Sequence, residues 1–180
     1  MRVFVLCAGR CGSTTLSRAF SHCTNFTVGH ETHKRWIGAE PGYPDNHIEI
    51  DNRLSWRLGN LFRKHTDKFI HLTRDDQKAH AESFAKRYGN GGIIDGYIKN
   101  IRGFHRVELS KKQVYILSRD FVFTHDKNIA IFLNRVFRDQ KRSMSIERWK
   151  FSFPGIWNWL GCEGDLEAAM EEFNTKHNAS

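Results

Sequence analysis

Seven consecutive residues, Gly9-Arg10-Cys11-Gly12-Ser13-Thr14-Thr15, carry the densest chemistry in the chain. Gly12 permits a tight turn, so successive backbone N–H groups can face one concavity. Ser13, Thr14 and Thr15 add hydroxyls, and a helix starting at Ser13 adds partial positive charge. Arg10 supplies a full charge. Each of these suits a phosphate. A second basic position is Arg74, with Ser83 nine residues on; an Arg at a strand's end and a Ser two turns into the next helix can grip one phosphate. The acid–base candidates are Glu31, with His30, His33 and Asp51 as rivals; Glu49 and Asp51 could instead orient hydroxyls.

These groups need elements to hold them. Residues 3–8 are continuously apolar, as in a strand buried on both faces. Residues 13–20 read as a helix, 26–28 as a second strand, 69–73 as a third and 76–88 as the helix after it. Residues 31–47 hold Gly38, Pro41, Gly42 and Pro44 among polar groups, a long surface loop. Leu54, Leu58, Leu61 and Phe62 follow helical spacing. Residues 110–138 read as helical, with Ile129, Phe132, Leu133, Val136 and Phe137 on one face, and 143–147 as a last strand. Pro154 suits a helix's first turn, and Asp165 can cap a final helix. Strands alternating with helices argue for an α/β fold: a three-layer sandwich around a mostly parallel sheet, with a P-loop-like strand–loop–helix at its start. Residues 1–180 are expected to form one domain. Ligands of such sheets bind beyond the strands' carboxyl ends, at the loops after Ala8, Val28 and Thr73.

Several chemistries fit poorly. A Walker loop needs Lys between its last Gly and the Ser/Thr, and Gly12 is followed directly by Ser13, which disfavours ATP or GTP hydrolysis. Neither Cys7 nor Cys11 has Arg six residues on, as a Cys-based phosphatase requires. His22, Cys23, His30 and His33 match no compact zinc spacing, so no metal is expected. The net charge of +8 favours an anionic partner. Lys34-Arg35-Trp36 and Lys141-Arg142 are only short basic clusters, so nucleic acid is not the expected one. No apolar run reaches membrane-span length, and Arg10 interrupts the apolar start too early for a signal peptide. The four Cys form no CxxC pair, which suits free thiols in the cytoplasm.

Arg10-Cys11-Gly12-Ser13-Thr14 resembles the loop with which sulfotransferases hold the 5′-phosphosulfate of 3′-phosphoadenosine 5′-phosphosulfate (PAPS), with Cys11 in place of Ser. Arg74, Asp76, Ala81 and Ser83 resemble the Arg-x-Asp…Gln-Ala-x-Ser pattern of the bacterial carbohydrate sulfotransferases, with His80 in place of Gln. The resemblance implies PAPS as sulfuryl donor, bound by Arg10, Cys11, Gly12, Ser13, Thr14, Thr15, Arg74 and Ser83. It implies Arg10 and Glu31 as catalytic residues and a hydroxyl or amine of a small molecule or carbohydrate as acceptor. The chain departs from the larger family in its shortness and in lacking a recognisable C-terminal Arg-Lys-Gly loop, for which Lys176, His177 and Asn178 could substitute. The alternatives are a P-loop-type small-molecule kinase and a nucleotide-binding protein without transfer activity.

Overall fold

The apolar run at the start forms β1 (Arg2–Leu6), and Val3, Phe4, Val5 and Leu6 are all buried. A strand with both faces buried must lie inside a sheet with cover on each side. β1 is the middle strand of five in a computed structural model of the chain, which describes residues 1–33, 42–61 and 67–175. The other strands are β2 (Thr27–His30), β3 (His47–Ile50), β4 (Lys68–Thr73) and β5 (Lys141–Ser145). Their order is β2-β3-β1-β4-β5 and every neighbouring pair is parallel. The carboxyl ends of all five strands therefore share one edge.

The helices are α1 (Ser13–Phe20), α2 (Gln77–Ala85), α3 (Ile93–Gly96), α4 (Lys111–Leu133), α5 (Trp149–Leu160) and α6 (Leu166–Glu171). One face of the sheet gives Val3, Val5, Ile48, Ile50, Ile70 and Leu72 to a core closed by Leu16 and Phe20 of α1 and Phe153 and Trp157 of α5. The other face gives Phe4, Leu6 and Phe69, covered by Ile129, Phe132 and Leu133 of α4. Phe84 of α2 and Phe121 of α4 extend that layer. This is the expected three-layer α/β sandwich.

Several boundaries differ from the pattern reading. Residues 47–50 form a strand because their two polar members are satisfied internally. Glu49, fully buried, accepts the Thr32 N–H at 2.9 Å and lies 3.0 Å from His47 Nε2. Leu54 and Leu58 belong to two short 3-10 turns, Asn52–Trp56 and Leu58–Asn60, and Leu61 caps the second, so the three do not share one helix; Asp51 starts the first turn by accepting the Arg53 N–H at 2.8 Å. Residues 134–137 fall outside α4. α5 begins at Trp149, so Pro154 sits inside it. Stacking of Trp149 on Phe173 (4.7 Å between rings) and burial of Phe153 extend the helix ahead of the proline. Asp165 caps α6 as expected, accepting the Ala168 N–H at 2.9 Å. Trp36, Lys34, Arg35, Phe62, Lys176, His177 and Asn178 lie outside the described residues.

Candidate active site

β1 runs into the first loop, and the loop into α1. Gly9 (φ 88°), Arg10 (φ 57°) and Gly12 (φ 86°) are all left-handed. This conformation turns backbone amides toward a common side, where they can hold an anion. The Leu16 N–H to the Gly12 carbonyl (3.0 Å) opens the hydrogen-bond ladder of α1, so the N–H groups of residues 13–15 lie ahead of that ladder, at the mouth of the loop. Gly12 itself stands at the cap position. A Cβ there would come within 2.5 Å of Ile146, just after β5, so the glycine is required by packing as well as by φ. Cys11 turns its side chain into the core, where its hydrogen bond with Cys7 and its burial push the thiol pKa well up. What Cys11 offers the loop is backbone.

β4 runs into Arg74, and Asp76 caps α2 through the Ala79 N–H at 2.9 Å. α2 then carries Ser83 back toward the first loop, where Arg10 Nε donates to Ser83 Oγ at 3.1 Å. The two motifs, 73 residues apart, therefore share a hydrogen bond. Burial lowers the Arg10 pKa, and the charges of Arg87 and Arg74 lower it further. Three guanidinium groups thus act on one region. Arg74 Nε lies 3.4 Å from Glu147 Oε1. Burial opposes the charge of Glu147, but the Asp75 N–H and Ser145 hydroxyl outweigh it and hold the pKa below the usual value.

β2 ends at His30, whose Nε2 lies 3.2 Å from Ser13 Oγ. Glu31 follows with a left-handed backbone (φ 53°); its N–H donates to the Ile50 carbonyl at 3.1 Å, and its charge helps raise the Arg53 pKa. His30 and Glu31 thus both stand on the sheet edge where the first loop opens, and His30 reaches that loop through Ser13. Asp51 is buried and committed to Arg53, with Nε at 2.9 Å and Nη2 at 2.6 Å from its oxygens. Glu49 is committed to His47 and Thr32, so both carboxylates hold structure. His33 lies edge-on to Tyr43, 5.0 Å between rings. His22 instead pairs with Glu172 at 3.2 Å, so the histidines of this region do not converge.

Sequence reasoning placed His80 in the second motif without giving it a role, and passed over Asn52. His80 Nε2 is 2.6 Å from the Gly9 carbonyl, and Asn52 packs so closely that a Cβ on Gly9 would lie 2.7 Å from its amide nitrogen. A signal for His80 was present: it lies three residues before Ser83, on the same helix.

No family model matches the chain, and no curated protein matches it. Solved structures do. A sulfotransferase domain from the curacin biosynthetic pathway superposes with a TM-score of 0.67 at 11% identity, covering 97% of this chain and 78% of that one. A sulfotransferase from Alicyclobacillus acidocaldarius gives a TM-score of 0.56 at 15% identity, covering 92% and 84%. At these identities the likeness shows a shared fold.

Proposed function

With the fold shared with sulfotransferases as its premise, we propose that this chain transfers a sulfuryl group from PAPS to a hydroxyl or amine of a small-molecule or carbohydrate acceptor. One observation carries the reading: the Arg10–Ser83 hydrogen bond, which joins the loop suited to a 5′-phosphosulfate to the residues suited to a 3′-phosphate. A nucleotide with anionic groups at both ends of its ribose spans such a pair of subsites. A plain 5′-nucleotide uses one.

The residues divide accordingly. The amides and hydroxyls of Ser13, Thr14 and Thr15, with the backbone of Cys11 and Gly12, hold the 5′-phosphosulfate. Arg74 and Ser83 hold the 3′-phosphate. Arg10 stands between them and stabilises the bridging oxygen as it gains charge. In the transfer, the acceptor oxygen or nitrogen bonds to sulfur while the bond from sulfur to the bridging oxygen breaks. The acceptor's proton passes to a base, and adenosine 3′,5′-bisphosphate leaves. Positioned charge supplies most of the catalysis in such displacements. Glu31 at the end of β2 is the proposed base, with His30 its rival through the Ser13 contact.

Thermal shifts test the nucleotide class. Adenosine 3′,5′-bisphosphate is expected to raise the melting temperature more than AMP, ATP or GTP. A ligand at a hundred times its dissociation constant adds about 2.7 kcal/mol of stability, enough to see. Larger shifts with ATP would move the assignment to a kinase; shifts only with an oligonucleotide would move it to nucleic-acid binding.

A further inference from the structure

His80 is 0% exposed, yet its two ring nitrogens have unlike surroundings. Nε2 meets the Gly9 carbonyl oxygen at 2.6 Å, and Nδ1 has no hydrogen-bond partner among the described residues. A carbonyl can only accept, so Nε2 carries the proton and Nδ1 is a bare acceptor. Burial pushes the imidazole pKa below its ordinary value, which keeps the ring neutral. The charged groups acting on it are Asp126 of α4, Arg74 after β4 and Glu147 after β5; Phe84 packs 5.6 Å from the ring. A neutral donor with one orphaned nitrogen is a costly thing to bury. Leucine would fill such a site without the orphaned atom.

The bond falls at the most strained point of the first loop. Gly9 and Arg10 are consecutive left-handed residues, and Arg10 is not glycine, so its backbone must be held by its surroundings. α2 supplies two holds: His80 on the Gly9 carbonyl and Ser83 on the Arg10 guanidinium. We infer that His80 is the positioning residue of the anion loop: by donating Nε2–H to the Gly9 carbonyl it fixes the left-handed Gly9–Arg10 pair, and so aims the amides of residues 12–15 at the ligand. This rests on the sulfotransferase reading only for the identity of that ligand. His80 touches neither nucleotide nor acceptor. It acts through the loop.

Two amide variants separate this role from simple core filling. The side-chain nitrogen of His80→Gln stands where Nε2 stands, whereas that of His80→Asn reaches only as far as Nδ1. Both bury one polar amide, so they differ mainly in reach. Backbone ¹⁵N order parameters of residues 9–15, measured without ligand, are expected near 0.85 in the native chain and His80→Gln, and below about 0.6 in His80→Asn. Calorimetric affinity for adenosine 3′,5′-bisphosphate is expected to stay within about threefold in His80→Gln and to fall about tenfold or more in His80→Asn. Indistinguishable order parameters in the two variants would overturn the inference. A rigid native loop that loosens in His80→Asn, in a protein that binds no adenosine 3′,5′-bisphosphate, would instead uphold His80 and overturn the ligand.

Discussion

At the scale of single residues, the base is the assignment with two contenders. Glu31→Gln keeps the shape of the side chain and removes its basicity. Turnover with saturating acceptor is expected to fall roughly a hundred- to ten-thousandfold, with nucleotide affinity nearly unchanged. His30→Gln, measured beside it, tests the imidazole near Ser13 Oγ; a dead His30→Gln with an active Glu31→Gln moves the base one residue back along β2. Gly12→Val is expected to damage the protein in another way. Its Cβ would collide with Ile146 in a backbone that valine rarely adopts, so the variant should melt well below the native chain as well as bind nucleotide poorly. A normal melting curve for Gly12→Val would show that the loop is less constrained than its φ angles indicate. The residue types in the two proposed anion motifs were readable because each has a distinct chemistry. The use of Asp51 and Glu49 as structural carboxylates was not: Arg53 and His47 lie only two residues away, but spacing alone does not say that they turn back onto the carboxylates, and Thr32 reaches Glu49 only once β2 and β3 pair.

At the scale of elements, the strand–loop–helix at the start and the strand before Arg74 were legible from apolar runs ending in glycine or a charged residue. β3 was hidden, because half of its four residues are polar, and a buried His–Glu pair reads like a surface. The early start of α5 was hidden for a related reason: proline's usual place in a first turn gave way to aromatic packing against Phe173. The junction of α4 with the 3-10 turn after β3 gives a pH prediction. His125 on α4 is buried, with Nε2 2.8 Å from Ser55 Oγ, and burial lowers its pKa to about 4. The unfolded chain takes up a proton near pH 6.5, while the folded chain resists it until about pH 4. Stability should therefore fall as pH drops through that window, by up to roughly 3 kcal/mol from this group. His80, also held below its ordinary value, acts in the same direction. Denaturant midpoints of His125→Gln between pH 7 and pH 4 should decline less steeply than those of the native chain. Parallel slopes would contradict the assignment.

At the scale of the whole molecule, five parallel strands bring the ends of β1, β2 and β4 to one edge, and there the first loop, His30, Glu31 and Arg74 stand. Among the described residues, no helix is long and apolar enough to cross a membrane. The net charge of +8 fits a ligand with several negative charges, and the fold fits the chemistry proposed. The acceptor is the part least legible in the sequence, since residues 31–47 follow no period that fixes a shape. The central claim is that one end of the site recognises a ribose 3′-phosphate. Isothermal titration calorimetry of adenosine 3′,5′-bisphosphate and AMP, on the native chain and on Arg74→Ala, tests it most directly. The account predicts that the native chain prefers the bisphosphate by about tenfold or more, the worth of a charge-assisted contact, and that Arg74→Ala loses most of that preference while AMP affinity holds. Equal affinities of the native chain for the two nucleotides, or a preference that survives in Arg74→Ala, would contradict it.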